Sequence, residues 1–468
     1  MLLVLSRWAA FPASLWDRDE AIFARALVCF EPESLYPHPP FFPLWIAAGR
    51  LILASPLTAK PEVALQLLSS VMSIWIVFPL ARLWRYLLPR YQASLAALLF
   101  ATIPAPWILS GRAYTGGTAT AFLVAAAALL FPDRRPVNER WLGAIYLSAC
   151  LLVRPQLLPF ALAIGVWRIA REQPTRRLLG PVAVCTTIIL GVAAWMTHRC
   201  GGISGILDIV AVHTEYHFGR MERVVREWHN LGIVAGLGGG AVATTWLLLA
   251  FQGAAVLFWR HTRQNQAVGF FFVLSFPALY FQLGLHNPSF VRYSLPFYAF
   301  SCGLVVAAVA WMTAARLKTQ IAVSILCSLS AAMVLPHLDS YRQTAAPVVR
   351  ALNEIADFDP RKPVDLFVDP HLETFLELYL VNGRINANVT VLPRETQGVN
   401  PFEVHRLDRH LVAVIDENQG RWDIRGRERS THSWQSTHWF ERIVSPRFRR
   451  IVVVYGHSGD GSNLAKSP

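Results

Sequence analysis

Long apolar segments, separated by short basic loops, restrict this chain to a membrane fold. Hydrophobic residues make up 54% of the 468 residues and charged residues only 16%, whereas soluble domains carry about 25% charged residues. The 16 tryptophans agree with two aromatic belts at the membrane interfaces. The sequence therefore predicts a polytopic α-helical membrane protein.

The apolar segments predict about 11 transmembrane helices. They cover residues 2–16, 62–81, 92–110, 116–132, 141–153, 155–169, 178–197, 231–258, 267–285, 294–311 and 320–336. Residues 41–54 are also hydrophobic, but this segment is short and contains Arg50, so it predicts a helix in the membrane interface. That helix belongs to a first extracytoplasmic loop, residues 17–60.

The positions of the basic residues support this count, which places the N-terminus in the cytoplasm. Every loop assigned to the cytoplasm is basic, as the positive-inside rule requires. These loops contain Arg82, Arg85, Arg90, Arg134, Arg135, Arg140, Arg168, Arg171, Arg176, Arg177, Arg260, Arg263, Arg316 and Lys318. A single helix over 141–169 would move the cluster at 168–177 outside, so two helices separated at Arg154 are favoured. Membrane orientation also explains the net charge of +13, and no nucleic-acid partner is predicted.

Two regions are predicted to face outward. Residues 198–230 form a long polar extracytoplasmic loop of the membrane domain, which covers residues 1–336. Residues 337–468 are predicted to form a small extracytoplasmic α/β domain. Its strands are expected at 364–368, 389–392, 411–415 and 451–455, with a helix at 372–380.

An acidic cluster lies where the first predicted helix leaves the membrane. Asp17, Asp19 and Glu20 follow this apolar segment directly. A carboxylate near lipid is costly unless it is solvated, paired or functional. The cluster is therefore a candidate site, with a solvated loop start as the alternative.

Three lone arginines lie in short turns that are assigned to the same outer side. They are Arg112, Arg154 and Arg292, and all three run against the positive-inside bias. A guanidinium binds two phosphate oxygens at once and stays charged. Together with the acids, these arginines indicate a pocket for a lipid phosphate; interfacial arginines or interhelical salt bridges are the alternative.

The sequence around these residues resembles polyprenyl-phosphate-sugar-dependent glycosyltransferases with the GT-C fold. Residues 16–24, WDRDEAIFA, are similar to the Asp-Glu motif after the first span of dolichyl-phosphate-mannose protein mannosyltransferases and bacterial aminoarabinose transferases of lipid A. His-Pro-Pro at 38–40 resembles the element that opens the interfacial helix. Arg-Tyr-Ser-Leu-Pro at 292–296 resembles a motif before a late span. The resemblance covers residues 1–336.

This resemblance implies a membrane glycosyltransferase. The enzyme would move a sugar from a polyprenyl-phosphate donor to a glycan, lipid or protein acceptor on the extracytoplasmic side. Asp19 is the expected catalytic carboxylate, and Glu20 is expected to support it. Arg292 and Arg154 are expected to bind the donor phosphate.

Four further candidate residues, Arg112, Asp17, His38 and Tyr293, complete the predicted site. Arg112 is a third candidate for the donor phosphate, although related turns often carry an acid after the basic residue and this one does not. Asp17 competes with Asp19 for the catalytic role. Asp17, His38 and Tyr293 are expected to line the substrate pocket.

Two other functional classes fit a membrane chain of this kind. A transporter or flippase of an anionic lipid-linked substrate should show two related halves and charges at mid-membrane, whereas the informative charges here lie at one face. A receptor or assembly factor would use the outer domain for binding. Convergence of Asp19, Arg154 and Arg292 on one outward cavity would favour the enzyme, and dispersed positions would favour the other two.

No cofactor or metal is expected. His213 and His217 have a metal-ligand spacing on a helix, but contact with the acceptor or a solvated face are the favoured alternatives. A divalent cation therefore stays a minor hypothesis. The compact loops and modest length favour a bacterial inner membrane protein.

Overall fold

The computed structural model of the chain is mostly helical and contains one sheet. It describes residues 1–132, 136–171, 175–218, 240–261, 291–357, 364–369, 372–385, 389–391, 410–416, 428–434, 444 and 450–456. The numbering of helices and strands below covers these residues only.

Thirteen α-helices precede residue 262. They are α1 (Leu2–Ala9), α2 (Arg18–Val28), α3 (Pro43–Leu53), α4 (Pro61–Trp75), α5 (Val77–Trp84), α6 (Arg90–Thr102), α7 (Pro104–Ile108), α8 (Thr115–Leu130), α9 (Val137–Val153), α10 (Leu158–Arg171), α11 (Leu179–Arg199), α12 (Ile203–Phe218) and α13 (Gly240–His261). Four more follow residue 290: α14 (Leu295–Thr313), α15 (Arg316–Gln343), α16 (Pro347–Ala356) and α17 (Glu373–Val381).

Within the described residues, length and apolar composition identify 4 helical stretches able to cross a membrane. They are Pro61–Trp84, Leu179–Arg199, Val291–Thr313 and Arg316–Ala356. A fifth is obtained if α6 and the following segment Pro104–Gly111, which are bent by 65°, form one span. The chain is thus an integral membrane protein with several spans. The count of 11 stays a prediction, and the predicted span at 267–285 lies outside the described residues.

The bend after α6 follows from two prolines, Pro104 and Pro106, which lack the amide proton needed to continue a helix. A buried arginine supports the chain at this point. Arg7 of α1 donates from Nη2 to the Ala101 carbonyl (3.0 Å) and from Nε to Ser73 Oγ in α4 (3.2 Å). Arg7 therefore ties α1 and α4 to the end of α6.

Two predicted elements differ from the structure. The first predicted span, 2–16, is helical only over Leu2–Ala9, because Pro12 cannot donate a helical hydrogen bond and disfavours helical geometry at Phe11. The predicted polar loop at 198–230 contains the helix Ile203–Phe218. The first residues of this helix are apolar at helical spacing, but the polar residues that follow them led to the prediction of a loop.

Other predicted elements agree with the structure. The chain leaves the helical conformation at Arg154, between α9 and α10, so the predicted division of 141–169 into two helices is confirmed. A helix also occupies 43–53, inside the predicted interfacial segment at 41–54. The predicted boundary between residues 336 and 337 falls inside α15, and the two domain limits stay predictions.

The sheet combines parallel and antiparallel strands in the order β2-β1-β3-β5-β4. The strands are β1 (Val364–Val368), β2 (Val389–Val391), β3 (His410–Asp416), β4 (Glu428–Ser433) and β5 (Arg450–Gly456). β1 pairs in parallel with β2 and β3, whereas β5 pairs in antiparallel fashion with β3 and β4. Four of the five strands and α17 lie where the sequence predicted them.

The sheet region packs on the first loop through aromatic and polar contacts. The ring of Trp16 lies 4.8 Å from that of Trp434 and 5.4 Å from that of Tyr341, between centroids. Arg384, after α17, forms an ion pair with Glu62 at the start of α4 (2.6 Å). These contacts hold the segment before α2 between the membrane helices and the sheet.

A close approach between two helices gives a test of the packing. A Cβ on Gly303 of α14 would overlap the indole ring of Trp84, which is buried and donates to the Ala299 carbonyl (3.2 Å). We expect Gly303→Ala to lower the free energy of unfolding by about 1–3 kcal/mol, because a rigid ring must move. The matched control is Gly191→Ala in α11, where the added Cβ meets nothing within 4 Å.

The control should be neutral or up to about 1 kcal/mol stabilising, since alanine favours helix. Thermal unfolding of both purified variants in detergent measures the difference. Equal unfolding midpoints for the two variants would contradict the predicted approach of α14 to Trp84.

Candidate functional site

The acidic cluster is built around the first turn of α2. Asp17 is the N-cap residue, and its Oδ1 accepts a hydrogen bond from the Asp19 amide (2.9 Å). Glu20 completes a capping box, because its Oε2 accepts from the Asp17 amide (3.0 Å). The Asp-x-Asp-Glu sequence thus starts the helix by local hydrogen bonds, and the same bonds fix where its three carboxylates point.

Glu20 and Arg112 form a fully buried ion pair. Arg112 donates from Nε to Glu20 Oε1 (2.7 Å) and from Nη2 to Oε2 (2.6 Å), a bidentate arrangement. Glu20 also accepts from the amides of Trp16 (2.8 Å) and Ala113 (2.8 Å). Both side chains are 0% exposed. With these protein donors on both oxygens, Glu20 holds the loop rather than facing a substrate.

The remaining donors of Arg112 are also directed at protein groups. Nη1 donates to the Val444 carbonyl (2.6 Å), and Nη2 donates to the hydroxyl of Tyr114 (3.1 Å). This occupancy disfavours the predicted role of Arg112 as a donor-phosphate ligand. The turn that contains Arg112 has no acid after this arginine, and the counter-charge of Arg112 is Glu20 from α2.

Arg292 joins the other two carboxylates. It precedes α14 and donates from Nη2 to Asp19 Oδ2 (2.6 Å) and from Nη1 to Asp17 Oδ2 (3.3 Å). Its Nη1 also donates to the Tyr114 hydroxyl (3.0 Å). Tyr114 therefore lies between Arg112 and Arg292, and links the ion pair of Glu20 to the pair formed by Asp19.

Arg154 lies beside Arg292 across one tyrosine ring. Its guanidinium carbon is 4.6 Å from the centroid of Tyr293, and that of Arg292 is 5.4 Å from the same ring. Arg154 Nη1 donates to Thr115 Oγ1 (3.3 Å). Within the described part of the chain, no carboxylate forms an ion pair with Arg154, although its side chain is buried.

Burial lowers the pKa of the Arg154 guanidinium below its ordinary value, and the positive charge of Arg292 acts in the same direction, whereas Tyr293 and the Asp19 carboxylate act in the opposite direction. A buried cation without a paired anion is unfavourable. An anionic group placed beside Arg154 and Arg292 would therefore be stabilised by both.

Because Gly116 has no side chain, the Arg154 guanidinium and the Arg292 backbone can approach it closely. A Cβ at this position would lie 3.1 Å from Arg154 Nη1 and 3.1 Å from the Arg292 carbonyl. The tight fit shows that the first turn of α8 contacts both arginine-bearing segments.

Solvent exposure separates the three carboxylates. The side chains of Asp17 and Glu20 are 0% exposed, whereas that of Asp19 is 24% exposed. Of the three, Asp19 alone can meet a molecule from outside without a rearrangement of α2. This difference favours Asp19 over Asp17 as the reactive carboxylate.

The structure brings seven predicted site residues together and places the eighth in different surroundings. Asp17, Asp19, Glu20, Arg112, Arg154, Arg292 and Tyr293 form one connected group. His38 instead packs against aromatic rings, in a tilted arrangement with Phe23 and edge-to-face with Phe42, at centroid distances of 5.7 Å and 5.3 Å. The structure gives His38 a packing contact under the loop, and its pocket role stays a prediction.

Two site residues were not predicted from the sequence. Tyr114 is shared by Arg112 and Arg292, and Thr115 accepts from Arg154. Both follow Arg112 directly, so their position beside a candidate arginine was the available signal. The described residues include no group of three or more His, Cys, Asp or Glu side chains able to hold a metal ion. The side chains of His213 and His217 lie outside the described residues.

Comparisons with known proteins identify the fold. No family model matches the sequence, and no curated protein sequence matches it significantly. Among solved structures, the chain is similar to ArnT from Cupriavidus metallidurans bound to undecaprenyl phosphate. The TM-score is 0.57 at 12% sequence identity, and the match covers 97% of this chain and 96% of that chain.

Oligosaccharyltransferase from Archaeoglobus fulgidus is also similar. Its apo form matches with a TM-score of 0.51 at 12% identity, over 89% of this chain and 69% of that chain. The same protein, AglB, in complex with an inhibitory peptide and a dolichol-phosphate, matches with a TM-score of 0.50 at 10% identity, over 89% and 69%. The predicted GT-C fold is thereby confirmed.

The contrast between Glu20 and Asp19 gives a test of the site. We expect Glu20→Gln to lower the free energy of unfolding by about 3–5 kcal/mol, because it leaves Arg112 buried without its counter-charge. Asp19→Asn, whose carboxylate is partly exposed, should change it by about 1 kcal/mol or less. Thermal unfolding in detergent measures the stability of both variants. Equal destabilisation would refute the conclusion that Glu20 is a structural acid and Asp19 an accessible one.

Proposed function

We propose that this protein is a membrane glycosyltransferase that moves a sugar from a polyprenyl-phosphate donor to an acceptor on the extracytoplasmic side. Asp19 is the proposed catalytic carboxylate, and Arg154 and Arg292 are the proposed ligands of the donor phosphate. Glu20 and Arg112 position the loop that carries Asp19. The acceptor is a glycan, lipid or protein hydroxyl.

The convergence of Asp19, Arg292 and Arg154 carries this proposal. Arg292 contacts Asp19 at 2.6 Å, and the two guanidinium groups lie on one tyrosine ring. These residues come from three distant parts of the sequence, so their meeting is a property of the fold. A transporter or a binding platform would allow these residues to lie far apart, whereas here they lie close together.

The chemistry of a lipid-phosphate donor fits the charges of this group. Two guanidiniums side by side offer paired hydrogen bonds to phosphate oxygens and disperse the charge of a leaving phosphate. The solved structures that share the fold support the same donor class, since one holds undecaprenyl phosphate and another a dolichol-phosphate.

The proposed reaction is a single displacement. The acceptor oxygen forms a bond to the anomeric carbon of the sugar, and the bond between that carbon and the phosphate oxygen breaks. The acceptor proton passes to Asp19, and the electron pair of the broken bond leaves with polyprenyl phosphate. Such an attack inverts the configuration at the anomeric carbon, and the positioned carboxylate acts as general base.

This transfer moves one negative charge across the site. Asp19 loses its charge when it takes the proton, and the leaving phosphate gains one charge beside Arg154 and Arg292. The two arginines are already in place and partly desolvated, so they stabilise the developing charge with little reorganisation. Arg292 contacts the Asp19 carboxylate before the reaction. It can therefore interact first with the charge on Asp19 and then with the charge that develops on the leaving phosphate.

The proposed location is a bacterial inner membrane, with the acid-arginine group and the sheet region on the outer side. The alternation of basic loops in the sequence supports this orientation. Residues 1–336 are the proposed membrane catalytic domain with 11 spans, and residues 337–468 the proposed extracytoplasmic α/β domain. The contacts of Trp434 with Trp16 and of the Val444 carbonyl with Arg112 support a position of part of the sheet region near the site.

We expect Asp19→Asn to abolish transfer, because an amide neither accepts the proton nor keeps the charge. Asp17→Asn is the control, since asparagine remains a good N-cap, and it should retain activity. The readout is the lipid-carrier profile of a deletion strain that is complemented with each variant, in which a dead variant accumulates the polyprenyl-phosphate sugar. Full complementation by Asp19→Asn together with failure of Asp17→Asn would assign the catalytic role to Asp17.

The arginine roles are tested by binding of undecaprenyl phosphate to the purified protein. Arg292→Lys and Arg154→Lys keep the charge but lose a paired contact, so affinity should fall roughly tenfold to a hundredfold, as expected for about 1.5–3 kcal/mol. Arg112→Lys should lower thermal stability and leave affinity unchanged. Unchanged affinity in Arg292→Lys and Arg154→Lys would remove both residues from the phosphate site.

A further inference from the structure

A cavity lies between α5 and α6, away from the acid-arginine group. Its volume is about 850 Å³. On α5 it is lined by Phe78, Ala81, Arg82 and Arg85, which share one face of the helix, and on α6 by Ser94. The cavity therefore follows the groove between two neighbouring helices.

The cavity lies at the C-terminal end of the Pro61–Trp84 stretch, away from the acid-arginine group. In the middle of this stretch, Ser70 Oγ donates to the Ser110 carbonyl (3.4 Å), two residues before Arg112. Arg85 lies 15 residues further along, which corresponds to roughly 22 Å at the helical rise of about 1.5 Å per residue. A molecule in this cavity is thus outside the proposed transfer site.

Among the described residues, the charges in the cavity leave one cation without a paired anion. Arg82 forms an ion pair with Glu139 at the start of α9 (Nη2 to Oε1, 2.7 Å). Arg85 is exposed, and within the described residues its side chain has no hydrogen bond or ion pair. In this part of the chain the two arginines outnumber the single carboxylate, so the Arg85 guanidinium is available to an anion.

Apolar side chains continue from the cavity along the same helices. Phe78 is 69% exposed on α5, and Leu98 is 46% exposed on α6. Phe78 lies on the apolar stretch Pro61–Trp84, and Leu98 lies on α6, which is apolar enough to cross a membrane together with Pro104–Gly111, so exposed side chains here are suited to contact lipid tails. A cationic end next to an apolar groove matches a molecule with a charged head and hydrocarbon chains.

We propose that this cavity is a binding site for an anionic phospholipid. Arg85, with Arg82 beside it, receives the headgroup phosphate, and the acyl chains lie along Phe78 and the groove between α5 and α6. The basic loop at residues 82–90 belongs to the cytoplasmic side in the predicted topology, so the lipid comes from the inner leaflet. This proposal is independent of the glycosyl transfer at Asp19.

Native mass spectrometry of the full-length protein tests the proposal. The protein is extracted in mild detergent and exposed to equal amounts of phosphatidylglycerol and phosphatidylcholine. The wild-type protein should retain phosphatidylglycerol in preference. Arg85→Ala should reduce this retention about tenfold, as expected for one lost charge-assisted hydrogen bond, whereas Arg85→Lys should keep most of it because lysine also binds phosphate as a point charge.

The matched control is Lys318→Ala, which removes one exposed charge from another predicted cytoplasmic loop and should leave retention unchanged. Ser94→Trp keeps all charges and fills the cavity from an exposed position, so it should also release the lipid. Equal loss in Arg85→Ala and Lys318→Ala would overturn the proposal in favour of general surface attraction. Equal retention in wild type and Arg85→Ala would overturn it as well.

A competition experiment separates a lipid site from a phosphate site. Inorganic phosphate in millimolar excess should leave bound phosphatidylglycerol in place, because the acyl chains contribute to the binding. Displacement by phosphate alone, or retention that is unaffected by Ser94→Trp, would show that the apolar groove takes no part. Either result would overturn the assignment to a phospholipid.

Discussion

The buried pair of Glu20 and Arg112 is the contact on which the candidate site depends. Removing two charges from water is costly, and their attraction offsets this cost only when the remaining donors and acceptors are also satisfied. Here three backbone amides and two guanidinium nitrogens donate to the two Glu20 oxygens. The pair therefore fixes the first turn of α2 against the turn at Arg112, and Asp17 and Asp19 are placed as a consequence.

The same cluster separates structural carboxylates from an accessible one. Asp17 caps α2 and Glu20 closes the capping box, so each is held by backbone amides. Asp19 uses one oxygen on Arg292 and is partly exposed. The three acids thus differ in exposure, because the helix start directs two of them inward and leaves one partly exposed. Their order in the sequence does not carry that information.

Local patterns predicted the parts of this protein whose cause is local. The helix break at Arg154 and the apolar strands β1, β2, β3 and β5 follow from neighbouring residues. Strand β4 was missed because its residues, Glu428–Ser433, are polar, and residues 429–433 alternate between exposed and half-buried at the sheet edge. The partner of Arg112 was missed because Glu20 is 92 residues away, and Asp19 is 273 residues from Arg292.

The relative strengths of these ion pairs determine how a donor could enter the site. The pair of Asp19 and Arg292 has side-chain exposures of 24% and 8%, whereas both partners of the Glu20–Arg112 pair are fully buried. Carboxylate and phosphate oxygens both form charge-assisted hydrogen bonds with a guanidinium, and Arg154 offers a second guanidinium without a carboxylate partner among the described residues. We propose that a phosphate that contacts both arginines replaces Asp19 on Arg292, because it also gains the contact with Arg154, whereas the buried pair of Glu20 and Arg112 stays intact. In the proposed mechanism, donor binding would by this exchange release the Asp19 carboxylate for the acceptor.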